Sequence, residues 1–283
     1  MRPSPFSTRS IFKLLLGMTA AALVFNGCSS LLFHPRDDMV LDPGLFETPY
    51  DEVKIQSGKN TLYGWHLKST IPQKGTVLFF HGNGGNISLQ LFSVFWLPWY
   101  GYDVITFDYS GYGLSEGEPT LETVHRDAEA MMQWAITHTS ENKPLYLFAQ
   151  SLGGAVAISA LARFPQKKRF SKLIIDSTFS RYETIANDAM KGSWITWPFS
   201  PLTAFFDYAE YDPANHIAEI SPIPVMIIHG TSDALVRPYH AGVLFDAARE
   251  AKSLWLIEGK GHIGSFYDKT SRQELIRRME QTP

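Results

Sequence analysis

Cysteine is nearly absent from this 283-residue chain. Cys28 is the only one, so no intramolecular disulfide can form and a cysteine-built zinc site is excluded. Charge of one sign is scarce too: the formal net charge is −3, which offers no electrostatic footprint for nucleic acid. Long apolar runs are missing from the N-terminal region, where Leu14 to Phe25 covers only 12 residues. A helix that crosses about 30 Å of hydrocarbon needs roughly 20. No internal repeat or low-complexity tract interrupts the chain, and the balance of apolar and charged residues is that of a globular protein.

What is present begins with a charge asymmetry. Residues 1–27 carry Arg2, Arg9 and Lys13 and no acid, and the short apolar run follows them. That is the layout of a secretory signal peptide. The segment Val24-Phe25-Asn26-Gly27-Cys28-Ser29-Ser30 resembles the lipobox of bacterial lipoproteins, in which a small residue precedes an acylated cysteine. The resemblance implies lipidation of Cys28, a membrane anchor of more than one acyl chain and, from Ser29, an outer-membrane address. Leu31-Leu32-Phe33-His34-Pro35 follows with no flexible spacer. The expected organisation is a signal peptide over 1–27, a lipidated N-terminus and short tether over 28–49, and a single domain over 50–283.

Within that domain, short β-rich runs alternate with helical patterns, which predicts an α/β fold with a mostly parallel central sheet and helices on both faces. Glu52 to Gln56 and Thr61 to Lys68, joined by Ser57-Gly58-Lys59-Asn60, read as an opening antiparallel pair. Thr76 to His81, Val104 to Asp108, Leu145 to Gln150, Leu173 to Asp176, Val225 to His229 and Leu254 to Glu258 are continuous apolar runs, as strands buried on both faces should be. Leu121 to Ile136 reads as a helix whose stripe of Val124, Ala128, Met131, Met132 and Ala135 is a packing face. A segment over about 180–222 breaks the alternation with Trp194, Trp197, Phe199, Phe205, Phe206, Tyr208 and Tyr211. It reads either as a cap over the site or as a helix pair on the sheet edge.

The chemistry concentrates at strand ends. Ala149-Gln150-Ser151-Leu152-Gly153-Gly154 follows a strand and opens a helix, with small residues around the serine. A tight strand-to-helix turn needs such neighbours and lifts the hydroxyl to the top of the sheet. Upstream, His81-Gly82-Asn83-Gly84-Gly85-Asn86 ends another strand in a loop rich in glycine. Backbone N–H groups there can stabilise negative charge on a former carbonyl oxygen. A phosphate-cradling loop is the competing reading, but no Lys-Ser/Thr pair follows the glycines. Asp233 lies beyond the Val225 strand, and His262 lies in Gly259-Lys260-Gly261-His262 beyond the Leu254 strand. Ser151, Asp233 and His262 thus occur in the order nucleophile, acid, base. Asp176 also ends a core strand and is the rival acid; His81 and His229 read as hydrogen-bonded loop histidines.

These motifs, together with Asp108-Tyr109-Ser110-Gly111-Tyr112-Gly113-Leu114-Ser115, resemble the α/β-hydrolase superfamily, and within it a small subgroup of eukaryotic protein depalmitoylases and bacterial hydrolases of uncertain substrate. The resemblance spans Tyr50 to the C-terminus. It implies the α/β-hydrolase fold and hydrolysis of acyl esters or thioesters through an acyl-enzyme on Ser151. His262 would be the base, Asp233 its orienting acid, and the Asn83 and Leu152 amides the oxyanion hole. No metal or organic cofactor is implied. A serine peptidase and an inactive envelope scaffold are the alternatives. The Asp108 segment, with Ser110 where arginine is usual, reads as a turn that shapes the pocket.

Overall fold

The computed structural model describes residues 33–191 and 208–281. The expected signal peptide and Cys28 lie outside the described residues, as do Trp194, Trp197, Phe199, Phe205 and Phe206 of the aromatic insert.

Eight strands form one sheet: β1 Tyr50–Ser57, β2 Asn60–Leu67, β3 Gly75–Phe80, β4 Tyr102–Phe107, β5 Leu145–Gln150, β6 Lys172–Asp176, β7 Val225–Gly230 and β8 Lys252–Ile257. Their spatial order is β8-β7-β6-β5-β3-β4-β2-β1. Pairing is antiparallel for β1 with β2 and β2 with β4, and parallel from β4 to β8. The opening hairpin is tighter than its tetrapeptide suggests, because Ser57 pairs with Asn60 and leaves only Gly58 and Lys59 in the turn.

The four central strands β3, β5, β6 and β7 are buried at every position. Apolar residues can therefore run without alternation there. β1 alternates in burial, as an edge strand with one wet face should. β8 departs from the expectation of a fully buried strand: it is the other edge, mostly half-buried, and Leu256 is 49% exposed. Its apolar composition gives no hint that one side lacks a neighbour.

Helices α1 Leu121–His138, α2 Leu152–Arg163, α3 Tyr182–Lys191, α4 Tyr239–Ala247 and α5 Lys269–Glu280 follow β4, β5, β6, β7 and β8. Thr120 and Thr123 close a capping box at the start of α1, satisfying amides that have no intrahelical acceptor. The stripe from Val124 to Ala135 is buried against the sheet, as its spacing predicts. Asp268 caps α5, whose Leu275, Ile276 and Met279 join Trp96 and Phe266 in a second core on the opposite face. Two apolar clusters thus sandwich the sheet. One end of the aromatic insert is fastened to α2, where Ser159 Oγ donates to the Tyr211 carbonyl at 2.7 Å, and its two ends are joined to each other by the Ala214 N–H, which donates to the Ser180 carbonyl at 3.0 Å.

The N-terminal boundary needs correction. Residues from Phe33 onward, expected within a tether over 28–49, are packed on the domain. Phe33 is 2% exposed in the main core, and His34–Pro35 pairs in parallel with Gly84–Gly85. Burying an aromatic side chain stabilises by a few kcal/mol, enough to hold a segment too short to show any periodicity.

Candidate active site

Among the described residues, Ser151, Asp176, Asp233, His262, Asn83, His81 and His229 lie at the C-terminal edge of the parallel strands, where open α/β sheets place their sites. Ser151 directly follows β5 and precedes α2. Its backbone sits at φ 53°, ψ −120°, a region that non-glycine residues rarely occupy. The turn is tight because the helix starts against its neighbours: a Cβ on Gly153 would lie 2.3 Å from the Phe80 carbonyl oxygen, and one on Gly154 would lie 1.9 Å from the Thr178 side-chain Oγ1. Ala149, where the usual pattern has glycine, is fully buried in the core. The Ser151 amide donates to the Asp176 carbonyl at 3.0 Å, which ties the turn to β6.

His262 reaches this serine from the loop after β8. Its Nε2 stands 3.1 Å from Ser151 Oγ, and its Nδ1 stands 2.8 Å from Asp233 Oδ2. Asp233 follows β7, and its Oδ1 accepts from the Leu235 and Val236 amides at 3.0 and 2.9 Å. Burial of this carboxyl works against its charge. Hydrogen bonds from His229 and His262, with the Val236 amide, outweigh that cost and hold it well below the ordinary carboxylate range. An ionised carboxylate only accepts, so Nδ1 of His262 carries the proton and Nε2 offers its lone pair to the serine hydroxyl.

Asp176, the rival acid, is engaged elsewhere. It is completely buried, which raises its pKa, and it accepts from Gln150 Nε2 at 2.8 Å, Ser265 Oγ at 2.8 Å and Ser177 Oγ at 3.3 Å. Ser177 Oγ in turn accepts from the Ile263 amide at 3.2 Å. Ser177 and Ile263 both have positive φ. This buried network therefore braces the loop that carries His262, a role that the sequence reading missed. Residues 86 positions apart meet here, and no local pattern announces left-handed backbone at serine or isoleucine.

Of the two histidines set aside in the sequence, His81 sits in a loop as expected, whereas His229 lies within β7; both are hydrogen-bonded. His229 Nε2 donates to the Val236 carbonyl at 2.8 Å and lies 3.4 Å from Asp233 Oδ2. His81 Nδ1 donates to the Gly82 carbonyl at 2.7 Å, and burial pushes its pKa down to about 4. Its Nε2 faces Asp108 Oδ1 at 3.5 Å, where burial pushes the carboxyl up to about 8. The pair is thus held without net charge beneath the glycine loop. Tyr109 and Tyr112 from the Asp108 segment pack on the His81 ring at 4.6 and 5.4 Å, so that segment does shape the site.

The glycine loop itself closes on the nucleophile. A Cβ on Gly82 would come within 3.4 Å of Ser151 Cβ. Asn83 follows it at half-burial, and Leu152 is the first residue of α2, so its amide has no intrahelical acceptor.

Comparison with known proteins places this architecture. A family model described as serine aminopeptidase, S33 matches residues 71–203. The uncharacterized protein YfhR of Escherichia coli (strain K12) is 33% identical over 243 residues, covering 84% of this chain and 81% of that protein. The lysophosphatidylserine lipase ABHD12 of Danio rerio is 32% identical over 237 residues, covering 77% of this chain and 59% of that protein. Among solved structures, an esterase from Pyrococcus furiosus superposes with a TM-score of 0.70 at 20% identity, covering 87% of this chain and 95% of that one. With the fold, the strand order and a relative of this identity in agreement, the chain belongs to the α/β-hydrolase superfamily.

Proposed function

We propose that this protein is a serine hydrolase that cleaves acyl esters through an acyl-enzyme on Ser151, working from a bacterial membrane to which Cys28 is lipid-anchored. The observation that carries the reading is one continuous hydrogen-bonded line, Ser151 Oγ to His262 Nε2 at 3.1 Å and His262 Nδ1 to Asp233 Oδ2 at 2.8 Å, with the serine on a strained turn.

The mechanism follows from that line. A neutral hydroxyl is a weak nucleophile, so His262 takes the Ser151 proton as the oxygen attacks the substrate carbonyl. Asp233 holds the imidazole in the required tautomer and stabilises the imidazolium that forms. Negative charge on the carbonyl oxygen is met by the Asn83 and Leu152 amides. His262 then passes its proton to the leaving group, and water activated by the same imidazole releases the acyl group.

Labelling of the full chain by a fluorophosphonate probe, compared with Ser151→Ala, tests the reading. Native protein should label and the variant should not; an unlabelled native protein supports the inactive scaffold instead. The description of the matched family model favours a second reading, cleavage of peptide bonds at N-termini. Turnover of an acyl-chain series of esters and thioesters, set beside aminoacyl anilides, decides between them.

A further inference from the structure

Between Phe33 and Val40 the chain runs across the loop that carries the Asn83 amide. His34–Pro35 pairs in parallel with Gly84–Gly85, and the Arg36 N–H donates to the Gly85 carbonyl at 3.2 Å. On its far side the strap is received by the core of the site. Asn86 Nδ2 donates to the carbonyls of Arg36 and Asp38, each at 2.9 Å, and Gly113 N–H donates to the Arg36 carbonyl at 3.0 Å. Val40 N–H donates to Ser88 Oγ at 2.9 Å. Phe33, buried in the main core, fixes where the strap begins.

The contact closest to the chemistry is made by the Asn83 side chain. Its Oδ1 accepts from the His34 N–H at 3.0 Å and from the Tyr112 hydroxyl at 2.8 Å. Two groups from distant parts of the chain therefore meet at the residue whose amide is proposed to face the developing charge. The loop they hold has little stiffness of its own: Gly84 and Gly85 follow directly, Gly85 at φ +90°, and a Cβ on Gly84 would meet open space. Glycine pairs give up more conformational freedom on ordering than any other residues. An oxyanion donor contributes only when it is already fixed at the place where the charge appears.

The geometry points to the N-terminal strap as a positioning device for the oxyanion hole: the His34 main chain and the Tyr112 hydroxyl hold the Asn83 side chain, and through it the Asn83 amide. This rests on the proposed role of that amide. Asn83 side chain, His34 N–H and Tyr112 hydroxyl are positioning groups, acting on the transition state without themselves donating to it. The strap also begins five residues after Cys28, so the segment that ties the enzyme to a membrane is the one that completes its active site.

Three single changes cut the device in different places. Asn83→Ala keeps the amide and removes the acceptor that holds it. His34→Pro deletes one N–H and puts the proline Cδ where that hydrogen pointed at Asn83 Oδ1, so it pushes the side chain away as well as releasing it. Tyr112→Phe deletes one hydroxyl. Each is measured in the full chain for kcat and KM on a water-soluble ester, for inhibition by a boronic acid whose tetrahedral adduct places an oxygen in the hole, and for the unfolding midpoint. Removing one oxyanion donor outright costs roughly a hundredfold or more in kcat. Loosening one should therefore lower kcat by about tenfold or more, leave KM little changed and weaken the boronate by the same factor. Because both partners act through the one Asn83 oxygen, Asn83→Ala/Tyr112→Phe should be no worse than Asn83→Ala. Folded variants with native kcat and native boronate affinity overturn the proposal, as do losses that add in the double variant or follow the unfolded fraction. Should His34→Pro fail to fold, Tyr112→Phe, lacking a single atom, carries the same test. Native protein that a fluorophosphonate does not label removes the hydrolase reading first and this proposal with it; native labelling with unaffected variants removes this proposal alone.

Discussion

Two buried carboxylates end or follow neighbouring strands near His262, and their surroundings separate them. Asp233 is bound on both oxygens by groups that favour its charge, including the imidazole. Asp176 is bound by side-chain amide and hydroxyl groups, and burial raises its pKa. An amide at position 233 loses the charge that stabilises the imidazolium and presents an N–H to a ring nitrogen that also donates. Asp233→Asn should therefore lower kcat by roughly four orders of magnitude. At position 176 the amide oxygen still accepts from Ser265, and the new NH2 faces Gln150. Gln150 Oε1 has no partner among the described residues, so turning that side chain over supplies the acceptor. Asp176→Asn should keep kcat within about tenfold, the worth of one neutral hydrogen bond. Steady-state kinetics of the two variants on one ester decides the assignment; the opposite ranking makes Asp176 the acid. Chain order alone placed Asp233 first in the sequence, whereas the discriminating hydrogen bonds join residues far apart along the chain and leave no trace in either neighbourhood.

At the scale of elements, the sheet was readable because its central strands are covered on both sides, which permits the uninterrupted apolar runs of β3, β5, β6 and β7. The same logic misjudged β8, since an edge position depends on which strand is last in the order and not on composition. The serine turn was readable from its small residues, and the structure supplies their reason. Gly153 abuts the Phe80 and His81 carbonyl oxygens, at 2.3 and 2.4 Å from where a Cβ would stand, and both are backbone atoms that cannot swing aside. Gly153→Ala must separate α2 from the end of β3, opening the gap between the nucleophile and the glycine loop. The expected cost is about 3 kcal/mol or more of stability, with kcat lost even in the folded fraction. Denaturant unfolding monitored alongside fluorophosphonate labelling checks both halves. A variant of native stability that labels at the native rate contradicts the account of the turn.

For the whole molecule, the proposed lipid anchor on Cys28 sets where the body would stand relative to a membrane. The expected tether shrinks once the strap is seen, because the folded part starts at Phe33 instead of Tyr50. That shift was invisible in sequence, since a two-residue bridge and one buried aromatic carry no period. Phe33 lies five positions after Cys28, a reach of at most about 17 Å even when fully extended. An anchored enzyme of this kind meets substrates presented in the same bilayer at a high effective concentration, and meets dissolved substrates only as any free enzyme would. Cys28→Ser, expressed with its native leader in a Gram-negative host, separates these two terms. The variant should leave the membrane fraction and incorporate no labelled palmitate. Its kcat/KM on a short water-soluble ester should stay at the native value, because the strap and the serine site are intact. Its rate on a long-chain acyl ester embedded in vesicles should fall by about a hundredfold, the lower end of what a lost second attachment costs. Fractionation and the two assays together are decisive: a variant that stays in the membrane fraction refutes the lipid anchor, and one that is released yet hydrolyses the embedded ester at the native rate refutes the claim that proximity to the bilayer serves the chemistry.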